Sequence, residues 1–281
     1  LIRKEAAGRF CRASSMNVHT VNTAIVGGTG FYDPAILKDV KEISVNTIYG
    51  EARLTVGKYK GSDIAFMARH GSRHQLPPHR INYRANISAL KELGVKRILA
   101  TTAVGSLKKE ISRGLLVITD QFIDFTRNRE HTFYDGETEG VVHTDFTEPY
   151  CPQLRGALKN VLSEKGAFVD GATYLCTEGP RYETPAEIRA FSLWGADIVG
   201  MTNVPEVTLA REAGICYANL SLVTNYAAGI SAQPLTHEEV IEEMKEKIGL
   251  IREIFMETIL SLPFDRNCRC WYNEGSIAAG D

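Results

Sequence analysis

The chain has 281 residues, 44% of them hydrophobic, and a formal net charge of −2, enough to bury a large core in one or two domains of roughly 100–200 residues each. Acidic and basic residues are interspersed, so no basic stripe is offered to a phosphodiester backbone or an anionic lipid surface, and nucleic acid and membrane are set aside as partners. The longest apolar runs stop well short of the roughly 20 residues that span a bilayer, so a soluble protein is expected.

The opening segment LIRKEAAGRFCRASS has basic residues but no continuous apolar stretch, so it does not read as a secretory signal. Residues 1–20 are expected to be a disordered extension, residues 21–262 a single domain, and residues 263–281 a tail. Within the domain, TAIVGG, RLTVGKY, DIAFMAR, KRILATTAV, LLVITDQFI, ATYLC, ADIVGM and ICYANLSLVTN are short β-branched runs that read as strands. Their continuous apolarity predicts burial on both faces. Between them, NYRANISALKELG sets Tyr83, Ile87, Leu90 and Leu93 on one helical face and closes on Gly94. The alternation predicts an α/β fold, a mixed twisted sheet flanked by helices. Three helix starts follow from capping patterns: Thr184 with Pro185 and Glu187, Asn203 with Glu206, and Thr236 with Glu239. They leave Glu183 just before one helix, Thr202 just before a second, and His237 in the first turn of a third.

Chemistry-bearing motifs sit where these strands end. AIVGGTGFYD runs a strand into a glycine turn, but Asp33 stands where the third glycine of a dinucleotide fingerprint belongs, and no Gly-Lys-Ser/Thr follows for a nucleotide P-loop. What is left is either a tight turn that needs glycine for backbone reasons or a cradle in which amides and Thr29 hold one small anion. MARHGSRHQLPPHR delivers Arg69 and His70 at a strand tip; Gly71 and the prolines argue against the helix that would aim His70 and His74 at a metal, and no metal site is expected. ATTAVGS presents Thr102 and Ala103, and GMTNVPE presents Met201 and Thr202 before a helix N-terminus, where amides and dipole favour an anion. Ligands of open α/β sheets gather in the crevice beyond strand ends, which ties these residues together. VTNYAAGIS then holds up the amide of Asn225, which is either a turn-forming residue or a ligand group. The six cysteines are scattered. Two lie in strand-like runs as small hydrophobes, a usage that suits the cytosol. Cys268 and Cys270, in DRNCRCWYNEGSIAAGD, form either a strained redox pair or, the reading preferred, part of a frayed tail.

In this order, GGTG, RHG, NYRANISALK, TTAVGSL, DQFID, FYDG, TEGPRYET, WGADIVGMTNVPEVTLAREAGICYA and THEEV resemble the purine nucleoside phosphorylase and methylthioadenosine phosphorylase family over about residues 22–262. The resemblance implies a trimer-based α/β enzyme, as a trimer or a dimer of trimers, that converts a purine nucleoside and phosphate to free base and sugar 1-phosphate. It needs no metal or organic cofactor; inorganic phosphate is the co-substrate. It implies a phosphate site of Thr29, Arg69, His70, Thr102, Ala103 and Thr202, a ribose contact at Met201, and base stacking on Tyr182. It also matches His143 to the region that reaches into a neighbouring subunit.

The overall wording is nearer the methylthioadenosine branch, yet the base-reading positions depart from it. That branch has an aspartate–tyrosine–aspartate pattern where this chain reads Asn225, Tyr226 and Ala227, and a serine where it reads Glu183. Asparagine and glutamate there resemble the 6-oxopurine-specific enzymes. A carboxylate accepts the N1 hydrogen of hypoxanthine or guanine but repels the bare N1 of adenine, and an amide can donate to O6 or N7. His237, in THEEV, resembles the histidine that bonds a 5′-hydroxyl, although a surface histidine at a helix start is the plainer alternative. Asn225, Glu183 and His70 are thus the expected catalytic groups, and inosine and guanosine the expected substrates, with methylthioinosine or methylthioadenosine the alternative. A non-catalytic nucleoside-binding protein would bind without phosphate-dependent turnover.

Overall fold

A computed structural model describes residues 21–28, 36–71, 75–136, 141–231 and 237–271. Thr29 and the Thr236 cap lie outside these residues, as do Arg73, His74 and residues 1–20. In chain order the elements are β1 (Thr23–Gly27), β2 (Lys38–Thr47), β3 (Gly50–Tyr59), β4 (Ser62–Ala68), α1 (Tyr83–Glu92), β5 (Arg97–Ser106), β6 (Leu116–Ile118), β7 (Gln121–Phe125), α2 (Pro152–Ser163), β8 (Phe168–Asp170), β9 (Thr173–Thr177), α3 (Pro185–Leu193), β10 (Ile198–Gly200), α4 (Asn203–Glu212), β11 (Cys216–Tyr226) and α5 (His237–Ser261). The strands form one mixed sheet in the order β2-β3-β4-β1-β5-β10-β9-β7, and β11 branches from β5 toward β6 and β8.

The central strands feed two cores, one on each face. Ala24 and Val26, Ile98 and Ala100, and Tyr217 pack with α1 and α4. Ile25, Leu99, Ala218 and Leu220 pack instead with α2 and α5. This is the two-sided burial that continuous apolar runs require. On α2, Leu154, Leu158 and Leu162 recur every fourth residue and all are buried; each stabilises the packing by roughly 1.5–3 kcal/mol. A smaller cluster joins Ile188 and Phe191 of α3 to Leu175, Val199, Leu107 and Ala227.

Several local expectations need correction. LLVITDQFI is two strands: β6 pairs with β11 and β7 with β9, and Thr119 and Asp120 separate them. The polar β2, an edge strand exposed along most of its length, has no apolar alternation to announce it. The third correction is α4, whose N-cap is Thr202 rather than Asn203, while Val204 is extended, so regular helix starts beyond it. Asn203 instead accepts a hydrogen bond from Tyr150 Oη at 2.6 Å, and Glu206 caps nothing. Lastly, residues 263–271 are not frayed: Cys268 and Cys270 are buried in the α2–α5 core. The Thr184 capping box on α3 and the positive-φ Gly94 after α1 match the sequence reading. Among the described residues, no helix is long and apolar enough to cross a membrane.

Candidate active site

A break in strand pairing creates the site. One edge of β5 pairs with β1 from Arg97 to Ala100 and with β10 only at Gly105 and Ser106, whereas β11 follows the other edge along its length. Residues 101–104 therefore face an opening between β1 and β10, and Ala103 is the one residue of β5 that is exposed. Because β10 is antiparallel to β5, continuing its register beyond Gly200 sets Met201 opposite Ala103 and Thr202 opposite Thr102. Parallel pairing of β4 with β1 brings Arg69 and His70 to the same end of the sheet, where Arg69 N–H donates to the Gly27 carbonyl at 2.9 Å. The opening is thus a switch point in an α/β sheet, where ligands bind.

Arg69 is held more firmly than a lone phosphate fork. Its guanidinium is buried and donates from Nε and Nη2 to the two oxygens of Glu206 at 2.6 and 2.7 Å, and from Nη1 to the Thr101 carbonyl at 3.1 Å. Three of its five N–H donors are thereby committed, and the Thr101 bond occupies a carbonyl in the unpaired stretch of β5. Glu206 Oε1 also accepts from Tyr217 Oη at 2.8 Å. Burial alone discourages the charge on Arg69, but the adjoining carboxylate reverses this and raises the guanidinium above its ordinary value.

His70 Nδ1 lies 2.8 Å from the Leu76 carbonyl, which only accepts, so Nδ1 carries the hydrogen. Thr102 belongs to a buried polar network: its hydroxyl is 2.9 Å from Ser221 Oγ, its cross-strand partner, and 3.4 Å from Asn219 Oδ1. Asn219 Nδ2 in turn donates to Ser221 at 2.7 Å. Should Ser221 donate to Thr102, the Thr102 hydrogen remains for Asn219 or a ligand. Thr202 is buried and its side chain makes no capping hydrogen bond. The amides that follow it are largely committed: Val204 N–H donates to Cys176 Sγ at 3.4 Å and Pro205 has none.

The other group of residues lies around α3. Glu183 accepts a 2.6 Å hydrogen bond from Thr177 Oγ1 at the end of β9. Burial raises its carboxyl above the ordinary range, and the Thr177 bond offsets only part of that. Asn225 is buried after a bulge that displaces the β11 register between Val223 and Asn225. Its Oδ1 accepts from Thr224 Oγ1 at 2.8 Å and its Nδ2 donates to the Tyr226 carbonyl at 3.0 Å. Gly105 leaves room for this amide, since a Cβ there would come 2.9 Å from Asn225 Nδ2. Ala227 is buried against α3 and donates its N–H to the Ser106 carbonyl at 2.8 Å; Tyr226 turns its hydroxyl to the Lys109 carbonyl at 3.2 Å. Tyr182 is exposed, as is His143. A cleft of about 250 Å³ lined by Thr177, Gly179, Arg181, Glu183 and Phe191 adjoins this region; of the expected site residues, only Glu183 lines it. Nothing is described of the His237 side chain, although its backbone begins α5.

Two contributors were not legible as such. Glu206 has the spacing of a capping residue, and only the fold pairs it with Arg69. Thr177, which holds Glu183, was signalled only by its place at the end of a strand.

The phosphorylase superfamily matches residues 22–260. The chain is 59% identical to a probable 6-oxopurine nucleoside phosphorylase of Dictyoglomus turgidum over 88% of its own length and 94% of the relative's. It is 45% identical to the S-methyl-5′-thioadenosine phosphorylase of Nitrosopumilus maritimus, over 89% and 95%. A methylthioadenosine phosphorylase structure from an antarctic soil metagenomic library superposes with a TM-score of 0.82 at 34% identity, covering 90% of this chain and 91% of that one. The chain belongs to the phosphorylase superfamily and, within it, is a pentosyl-transferring nucleoside phosphorylase.

Proposed function

We propose that the protein cleaves 6-oxopurine nucleosides, inosine and guanosine, with phosphate to give the free base and ribose 1-phosphate, in purine salvage in the cytoplasm. The observation that supports the reading is that Glu183 is anchored by Thr177 at the end of β9, while the β11 bulge sets the amide of Asn225 at the end of its own strand. In this reading the ionised Glu183 accepts the N1 hydrogen and Asn225 donates to the purine as it departs with negative charge. The name of the Dictyoglomus turgidum relative supports a 6-oxopurine; that of the Nitrosopumilus maritimus relative marks the methylthio nucleosides as the alternative.

Phosphate would sit in the opening beside β5, held by Thr29, Arg69, His70, the hydroxyls of Thr102 and Thr202, and Ala103. Met201 would contact the ribose, Tyr182 would stack on the base, Tyr226 and Ala227 would line the base side, and His237 would bond the 5′-hydroxyl. As the glycosidic bond lengthens, the sugar becomes oxocarbenium-like, so a fixed anion below C1′ both stabilises that charge and attacks it. The active form is proposed to be a trimer or a dimer of trimers. The deciding experiment is phosphate-dependent base release from inosine, guanosine, adenosine, methylthioinosine and methylthioadenosine under one set of conditions. Fast inosine and guanosine with near-silent adenosine is expected; an adenine nucleoside turned over as fast as inosine would overturn the specificity.

A further inference from the structure

The cysteines dispersed in the sequence meet in the fold. Cys151, Cys216, Cys268 and Cys270 are all buried, and their Sγ atoms lie within 4.8 Å of one another, with Cys216 and Cys268 at 3.3 Å. All four are free thiols. Four thiolates around zinc, at Zn–S about 2.3 Å, form a tetrahedron with edges of about 3.8 Å, so small side-chain adjustments bring this set into coordination. We propose that Cys151, Cys216, Cys268 and Cys270 form a structural tetrathiolate site for a soft divalent cation, zinc, away from the phosphorolytic centre.

The surroundings suit such a site. Cys151 is the N-cap of α2, where no side chain occupies the first amides and the helix dipole favours a thiolate. Arg97 is the ladder partner of Cys216 in the β5–β11 pair. Its guanidinium is buried, with Nε lacking a partner among the described residues, which leaves a donor and a positive charge beside a complex of net charge −2. Arg97 Nη2 also donates to the carbonyls of Pro263, Phe264 and Asp265 at 2.8, 3.2 and 3.1 Å. Arg266 Nη1 adds a bond to the Gly214 carbonyl at 2.8 Å, so the segment carrying Cys268 and Cys270 is docked before any ion binds. When the four thiols bind one zinc ion they release four protons; no oxidant is involved. The ion then joins α2, the start of β11 and the chain beyond α5, three parts distant in sequence.

The test uses the full chain, produced with zinc in the medium and purified under reducing conditions without chelator. Elemental analysis is expected to find about one zinc per chain. Alkylation in denaturant with chelator, without reductant, should modify all six cysteines of the chain, the four of the cluster included. Cys268→Ser with Cys270→Ser should lose the ion and unfold at lower temperature, yet retain phosphorolysis at room temperature. Should that variant not fold, apoprotein loaded with cobalt gives a second readout: tetrahedral thiolate coordination produces intense visible bands. Protein without stoichiometric metal, with cysteines protected from alkylation and a mass lower by two hydrogens per protected pair, would overturn the site in favour of disulfides. Absence of the cobalt bands would overturn it too.

Discussion

Arg69 and Glu206 illustrate how one residue's role depends on another that no local pattern joins to it. A guanidinium this deeply buried is tolerable only beside a carboxylate, and the bidentate geometry also fixes where its remaining N–H groups lie. Glu206→Gln removes that charge and leaves Arg69 buried and uncompensated, so a loss of about 3–5 kcal/mol in denaturant unfolding is expected. The KM for phosphate should rise with it; unchanged stability would show that the pair is not the anchor described. Glu183 yields a pH prediction of definite sign. Burial raises its carboxyl, so the folded state binds the proton more tightly than the unfolded chain does. Its contribution to stability is therefore full at low pH and is lost as pH rises from the ordinary carboxylate value through the raised one. On the proposed reading activity has the opposite sense, because only the carboxylate would accept the N1 hydrogen of a 6-oxopurine. The acid limb of kcat/KM for inosine should stand above the ordinary glutamate range. Glu183→Gln should flatten that limb and lower kcat/KM by about 10–100-fold, the worth of a hydrogen bond to a charged group. An acid limb that persists in the Gln variant would assign it to another group.

At the level of elements, the site depends on how strands and helices end. The α3 box, with Thr184 Oγ1 accepting from Glu187 N at 3.2 Å and Glu187 accepting from Thr184 N at 2.8 Å, fixes the turn that carries Glu183. Thr184→Ala should cost about 0.5–2 kcal/mol in thermal unfolding and, by loosening Glu183, raise the KM for inosine more than that for phosphate. Gly200, at the end of β10, is constrained differently: an added Cβ would collide with the Tyr174 hydroxyl. Gly200→Ala should therefore destabilise by about 1–3 kcal/mol and impair phosphate use through Met201 and Thr202, which follow directly. The sequence made α3, α1 and the buried strands legible because capping side chains and continuous apolarity are local signals. It did not disclose the division of LLVITDQFI, since two short strands and one long one have the same apolarity and differ only in their partners. Nor could it separate a capping Glu206 from an ion-pairing one, because both stand three residues into a helix.

The whole molecule brings together residues that the sequence keeps far apart, and the extent of that legibility differs between its two ends. At the sheet opening, Arg69, His70, Thr102 and Thr202 could be proposed together because strand ends in α/β sheets share a crevice. The unpaired stretch of β5 that forms the crevice, however, is a consequence of sheet order and antiparallel β10, which only the fold reveals. At the other end, the Cys268–Cys270 pair was legible, but nothing in the spacing joined it to Cys151 and Cys216, so the convergence of the four was invisible. Because the proposed phosphate ligands come from the tip of β4, from β5 and from the residue before α4, an anion bound there would add to the Arg69 bonds with Glu206 and Thr101 that already join these elements, and its binding energy adds to global stability. At a phosphate concentration of about 100 times its dissociation constant this adds about 2.7 kcal/mol, or about 5–10 °C in melting temperature for a domain of this size. The comparison is a melting curve at fixed protein concentration with and without phosphate, chloride holding ionic strength constant. Thr102→Val should retain the melting temperature measured without phosphate to within a few degrees while losing most of the phosphate-induced rise. A full rise in that variant would remove Thr102 from the anion site and leave its hydroxyl with Ser221 and Asn219 as a purely structural bond.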